Sequence, residues 1–222
     1  IVDKQINCLF SIQTPTNKNP LFNGASEFKI DSYLEYLQGL DYKFSEIKNN
    51  ISQIYIMRNK KNLIFFDAGS PPKKKYSKDY QSGPLSFEYF TDNNKIITNC
   101  GFGNKISKRT ELMSRLTSAQ STLSLNDCSV VKFEKNNLIN DAFGTAITTS
   151  FKVFDFDIKE DKNYLTLTAK HDAYENNFNY IHQRVIKMDK KNSTLLGKDN
   201  LISTKKNSTL LGKDNLISTK KN

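Results

Sequence analysis

Histidine and cysteine are scarce in this 222-residue chain, and their scarcity removes most metal and disulfide chemistry. Two histidines, His171 and His182, cannot make a three-histidine zinc site, and no HExxH pair or EF-hand loop occurs. Three cysteines, Cys8, Cys100 and Cys128, are odd in number, far apart and without a CxxC pair. That pattern supports neither a disulfide framework nor a zinc ribbon, and buried free thiols are the ordinary expectation. GxSxG, Walker and GxGxxG motifs are all missing, and Gly101-Phe102-Gly103 reads as a turn. No run nears the ~20 apolar residues that a membrane-spanning helix needs. Charged residues are only 25% of the chain and aromatics recur along it, which excludes wholesale disorder. The first residue is Ile1, with no basic segment followed by an apolar one, so the chain reads as a fragment or a mature segment.

What is present begins with charge. The net +10 invites a nucleic-acid reading, but eight lysines and two aspartates lie between Lys190 and Asn222. Residues 1–189 then hold 25 basic and 21 acidic groups, a modest +4. The one internal cluster, Lys73-Lys74-Lys75 after Pro71-Pro72, reads as a solvated loop rather than a basic face among aromatics. No nucleic-acid or membrane partner is expected.

The C-terminus repeats itself. KKNSTLLGKDNLIST at 190–204 recurs unchanged at 205–219. Two identical copies do not make a solenoid, whose units are longer and diverge. The second copy is expected to be a spare strand or a poorly ordered tail. Near the other end, Ile30, Tyr33, Leu34, Leu37 and Leu40 recur at helical spacing, which predicts a helix over 31–39 capped by Asp31. Phe22-Asn23-Gly24 predicts a turn.

After residue 50 the period falls to two. Strands are predicted at Ile51–Met57, Leu63–Phe66, Leu85–Tyr89 and Ile96–Cys100, with a hairpin tip at Asp92-Asn93-Asn94. Further strands are predicted around Leu123–Leu125, Phe154–Ile158, Leu165–Leu167 and Ile181–Val185, interrupted by one helix at Lys108–Leu116. Short strands joined by turns argue for a mainly β chain, an antiparallel sandwich.

Two stretches carry candidate chemistry. His171 ends a strand two residues before Ala173-Tyr174, and His182 and Arg184 fall on one face of the next strand. A His beside an Arg can hold a carboxylate, the Arg by its planar fork and the His as proton donor or acceptor. The plainer expectation puts both on the solvated face of a sheet. The second stretch, Arg115 to Leu123, reads as a half-buried polar strand of small residues.

At this point several segments fall into a known order. Asp67-Ala68-Gly69-Ser70-Pro71-Pro72, SGPLSFE at 82–88, IITNCG at 96–101, RLTSAQSTL at 115–123 and the run from His171 to the HQR at 182–184 resemble the C-terminal sandwich of heparinase II/III-like proteins, the alphaproteobacterial type above all. Phe22-Asn23-Gly24 resembles the segment leaving that family's helical toroid. The resemblance covers roughly residues 20–204. It implies a polysaccharide lyase in which an (α/α) toroid precedes the sandwich and uronate-containing glycans are cleaved by β-elimination. Such a reaction needs the uronate carboxylate neutralised, a base for the C5 proton and an acid for the leaving oxygen.

In that family a sandwich His faces toroid residues across the cleft, and His, Asp and His hold a structural zinc. The matching positions here are Gln81, Asn99 and Gln120, all neutral amides, so no metal and no cofactor is expected. The three amides are expected to form either a hydrogen-bonded cluster in place of the metal or a glycan-facing polar patch. His171, Tyr174, His182 and Arg184 match the family's HDGY and HxR pattern, with Ala173 in place of the glycine. The resemblance thus implies catalytic roles for Gln81, His171, His182 and Arg184, and substrate contacts for Tyr80, Asn99, Arg115, Gln120 and Tyr174. The implied organisation is the end of a helical domain with a linker at 1–48, an incomplete sandwich at 49–204 and a duplicated tail at 205–222. The implied partners are an acidic polysaccharide and an absent toroid, with the periplasm or cell envelope as location and a fragment that is inactive alone. The contrasting expectation is a degenerate, metal-free sandwich that binds glycan or braces a neighbouring domain.

Overall fold

A computed structural model describes residues 2–44, 47–135, 144–192 and 194–205, together with the backbone of 212–215. Two five-stranded antiparallel sheets dominate it. The first runs in sequence order: β1 (Asn50–Ile51), β2 (Ile54–Arg58), β3 (Asn62–Asp67), β4 (Phe87–Thr91) and β5 (Asn94–Ile97). The second is also a meander: β6 (Val153–Glu160), β7 (Tyr164–His171), β8 (Tyr180–Asp189), β9 (Leu195–Ser203) and β10 (Gly212–Asn215). This is the expected mainly β sandwich.

The core lies where the sheets face each other. Met57, Ile64, Phe66, Phe87 and Tyr89 of the first sheet meet Leu167, Ala169, Ile186 and Met188 of the second. Every residue of β3 is buried, because its other face (Leu63, Phe65) packs under Ile12 and Phe22 of the N-terminal segment. An apolar run closed on both sides reads as continuous rather than alternating, as here. In β8 burial alternates strictly, with His182, Arg184, Ile186 and Met188 all facing inward.

Hairpin chemistry follows the residues. Asp92 and Asn93 both take positive φ (47° and 64°) between β4 and β5, the conformation of a two-residue primed turn. The run from Ile51 to Met57, expected as one strand, is instead a hairpin. Ser52 sits at φ 58°, and Ile51 pairs back onto Ile54. Asn23 (φ 42°) and Gly24 (φ 86°) form the expected turn.

Three helices of seven residues or more stand among the described residues: α1 (Val2–Ser11), α2 (Ile30–Gly39) and α3 (Lys108–Ser114). For α3, Ser107 caps the start through its side chain to the Thr110 amide. The expected Asp31 cap is not formed. Asp31 lies inside α2, its carboxylate accepts from Gln13, and the cap position is Lys29. Of the expected apolar stripe only Ile30 and Leu34 are buried, while Tyr33 and Leu40 are exposed.

Arg115 to Leu123, expected as a strand, contains a 3-10 turn at Thr117–Ala119 and no strand. Its polar side chains bond loop groups instead, as Ser121 does with the Phe87 carbonyl and Thr122 with the Pro84 carbonyl. The cysteines are free as expected, but Cys100 and Cys128 are exposed and Cys8 half-buried, so the expectation of buried thiols fails. Within the second repeat copy, the described residues 212–215 pair antiparallel with Lys198–Leu201 of the first. Residues 206–211 and 216–219 of that copy lie outside the described residues. No helix among the described residues is long and apolar enough to cross a membrane.

Candidate functional site

The nine residues singled out by sequence are all buried. Gln81, His171, His182, Arg184, Tyr80, Asn99, Arg115, Gln120 and Tyr174 are each at most 9% exposed. They fall into two polar networks.

The first network is built by strand register. His171 stands opposite His182 on neighbouring strands, and Arg184 stands opposite Asp199. Arg184 donates through Nε and Nη2 to the two carboxylate oxygens of Asp199, at 2.7 and 2.8 Å. Its Nη1 crosses the sandwich to the carbonyls of Leu85 (2.8 Å) and Ser121 (2.6 Å), and its plane lies 5.3 Å from the Phe87 ring centre. The solvated-face expectation for His182 and Arg184 is therefore wrong: both point into the sandwich because a carboxylate waits there.

Proton positions follow from the partners. The Ala173 amide donates to His171 Nδ1 at 3.2 Å, so that ring carries its proton on Nε2. His171 Nε2 then donates to His182 Nδ1 (2.9 Å), and His182 Nε2 donates to Asp199 Oδ1 (2.7 Å). No ring nitrogen is left to accept a further proton. Burial lowers the pKa of both imidazoles, that of His171 strongly, with the neighbouring His182 and Arg184 charges acting in the same sense on His171. For Asp199, burial opposes ionisation, but the His182 and Arg184 hydrogen bonds outweigh it and hold the carboxyl below its ordinary range.

The second network ties loops together. Arg115, fully buried, pairs with no carboxylate among the described residues. It donates to three carbonyls, Tyr80 (2.8 Å), Thr145 (2.6 Å) and Ser77 (2.7 Å), and burial lowers its pKa to about 10. Gln81 donates to the carbonyls of Gly101 and Ser114, each at 2.8 Å, and accepts from the Gly24 amide at 3.1 Å. Gln120 donates to the same Ser114 carbonyl at 2.8 Å. Asn99 accepts from the Ser121 amide and hydroxyl, while its Nδ2 is buried without a partner. The amides thus meet through backbone groups, two of them at one carbonyl, rather than through one another. Tyr174 donates to the Leu123 carbonyl at 2.6 Å, and the buried Tyr80 serves the Arg115 anchor through its backbone carbonyl.

The amides do not suit zinc. Gln81 and Gln120 aim N–H donors at the shared centre, and the Gln81 oxygen already accepts from Gly24. A cation there would face donors, and neutral amides compete poorly with imidazole and carboxylate for it.

Three members of these networks were not legible from sequence. Asp199 is the only acid of the fifteen-residue unit, and alternation would have aimed it at β8 had the repeat been read as a strand. Asp67 accepts from the Gly69 amide (2.8 Å) and from Asn23 Nδ2 (3.1 Å), tying the N-terminal turn to the sandwich. Burial raises its pKa to about 6. Glu88, fully buried, accepts from Thr98 and from the Asn99 amide and pairs with Lys95 at 3.1 Å.

A family model described as heparinase II/III-like, C-terminal, matches residues 51–211, well over half of the sequence. The chain belongs to the heparinase II/III-like family. Solved structures agree on the fold of this heparinase-like domain. The heparan sulfate lyase HepC of Pedobacter heparinus superposes with a TM-score of 0.62 at 19% identity, over 91% of this chain and 32% of that one. A structure titled heparinase III gives 0.62 at 13% identity, covering 92% and 34%. A further heparinase III gene product gives 0.62 at 15% identity, covering 87% and 31%. The chain spans about a third of the length of these solved structures. No curated protein matched in sequence.

Proposed function

We propose that this heparinase-like sandwich is one part of a polysaccharide lyase that cleaves uronate-containing acidic glycans by β-elimination, and that it does not turn over substrate by itself. The observation that carries the second half is the closure around the four catalytic candidates: Gln81, His171, His182 and Arg184 are all buried and already partnered within the chain. An imidazole whose two nitrogens are both engaged, with its pKa lowered, neither removes a C5 proton nor protonates a leaving oxygen. We therefore assign His171, His182 and Arg184 positioning roles, holding the sheets in register under a cleft completed by a toroid. Gln81 holds the Asn23-Gly24 turn against the sandwich. Periplasm or cell envelope is the compartment that fits such a substrate.

The test compares the 222-residue chain with a longer polypeptide that adds a helical domain. Both are incubated with heparan-like, heparin-like and alginate-like glycans while absorbance of the unsaturated product is followed. Signal from the longer protein alone is expected. Signal from the short chain overturns its inactivity, and silence from the longer one across all substrates overturns the lyase reading.

The amides at 81, 99 and 120 favour a second reading, a metal-free sandwich that only braces its neighbour. It predicts that silence.

A further inference from the structure

At the opposite end of β3 from Asp67 and Gln81 lies an open hollow of about 280 Å³. Six residues of strand separate the two ends of β3, roughly 17 Å at the usual rise per residue, so the hollow is separate from the networks above. Its walls are the N-terminal segment, the β2–β3 turn and the tip of the β4–β5 hairpin. Arg58, Lys60 and Lys61 line it, and no carboxylate does; Asp92, next to Asn93 in the hairpin tip, stays outside the lining.

The walls are held in place. Asn59 Nδ2 reaches the Asp189 carbonyl of the second sheet at 3.0 Å, and its Oδ1 accepts from the amides of Lys61 (2.9 Å) and Asn62 (2.7 Å). The buried Asn62 accepts from the Tyr89 hydroxyl at 2.9 Å. Arg58 donates through Nη2 to the Ser11 carbonyl at 3.2 Å, which anchors the segment carrying Gln13 and Thr14. Its Nε is buried without a hydrogen-bond partner, burial lowers its pKa, and no carboxylate among the described residues pairs with it.

The lining has a definite chemistry. Two ammonium groups on a fixed turn supply point charges for an anion. Gln13 and Asn93 offer the donors and acceptors that hydroxyls require, the buried Thr14 hydroxyl being engaged by Lys18 and Thr16, and Pro15 and Leu63 give a small apolar floor. Aromatic rings for stacking are missing from the lining, which disfavours a nucleobase. We propose that this hollow binds one anionic sugar residue of a glycan, its sulfate or carboxylate between Lys60 and Lys61 and its hydroxyls on Gln13 and Asn93. Such a site would hold a chain of substrate remote from the bond being broken. Its link to catalysis rests on the lyase reading; the binding itself does not.

The test uses the full 222-residue chain and no turnover. Amide shifts are followed by NMR during titration with a heparin-derived tetrasaccharide, with tetragalacturonate, which carries carboxylates only, and with the neutral cellotetraose. Shifts at Asn59, Lys61, Asn62 and Asn93 are expected with either acidic ligand and not with the neutral one. The stronger acidic ligand identifies the anion. Lys60→Ala/Lys61→Ala should weaken binding roughly tenfold or more, whereas Lys73→Ala/Lys74→Ala/Lys75→Ala, which removes one more charge from an exposed loop, should cost less than about twofold. Equal loss in both variants reduces the effect to general charge attraction and overturns the proposal. Shifts centred elsewhere, equal binding of cellotetraose or no binding of either acidic ligand also overturn it. Both sets of lysines are exposed, so folding survives the changes. Because no lyase activity is read, failure here leaves the β-elimination reading standing, and an inactive parent leaves this site standing.

Discussion

Two arginines are enclosed by this domain, and the sandwich and its loops accommodate them differently. Arg184, on a central strand, faces a carboxylate at register distance and uses its spare donors to stitch one sheet to the other. Arg115, at the end of a helix, pairs with no carboxylate among the described residues and is held by three backbone carbonyls and the Phe133 ring. A strand can deliver an acid opposite a base because pairing fixes both. A loop has no such register, but it has free carbonyls that no ladder consumes. The difference shows in pKa: burial lowers that of Arg115, whereas at Arg184 the ion pair is expressed in the lowered pKa of Asp199.

The largest effect should come from breaking the strand-borne pair. Asp199→Asn leaves a buried guanidinium and a histidine chain without its terminus, and should destabilise by ~3–5 kcal/mol in denaturant unfolding. Adding Arg184→Met to that variant should recover much of the loss, because the charge left alone is then gone. If the two changes are additive, the pair is not coupled and the comparison fails.

Next comes the loop arginine. Arg115→Lys keeps the charge but cannot span three carbonyls, and should cost about 2–3 kcal/mol through buried acceptors left unpaired. A loss equal to that of Asp199→Asn would erase the distinction between the two regions.

The third prediction uses pH. The folded pKa of Asp67, raised to about 6, lies above its unfolded value near 3.8. Its contribution is therefore fully present below the unfolded value and is lost as pH rises through 6, up to about 3 kcal/mol by linkage. The two histidines act in the opposite sense: with depressed folded pKa values, they cost stability as pH falls below the ordinary imidazole value of about 6.5. Melting curves of the native chain and Asp67→Asn from pH 4 to 8 separate the two, since the variant should keep only the acid-side loss. A variant curve parallel to the native one would place Asp67 in an ordinary environment.

The smallest effect is expected at the exposed thiol. Cys128→Ser should move stability by less than about 0.5 kcal/mol. A larger loss would show that this loop is packed more tightly than its exposure indicates.

Periodicity and turn chemistry made most of the sandwich readable. The Asp92-Asn93 tip, the alternation of β7 and β8 and helix α3 all emerge from residues within a few positions of one another. Misreadings arose where a distant partner decides the outcome. His182 and Arg184 look the same in sequence whether they face water or a core, and only Asp199, inside a repeat that resembles a tail, tells the two apart. Arg115 to Leu123 reads as a polar strand of small residues, but loop carbonyls and amides satisfy its polar groups in another geometry. At Ile51–Met57 the signal was one serine at positive φ, which apolar counting passes over.

The edge of the second sheet has a genetic corollary. Strands β9 and β10 pair Lys198–Leu201 with Gly212–Asn215, both drawn from the Gly-Lys-Asp-Asn-Leu stretch that the two adjoining fifteen-residue units share. Excising either unit, 190–204 or 205–219, yields one and the same polypeptide, and in it an aspartate still follows β8 at the spacing that now meets Arg184. The locus can therefore gain or lose a copy without touching the ion pair, and what varies is only how many strands border the sheet.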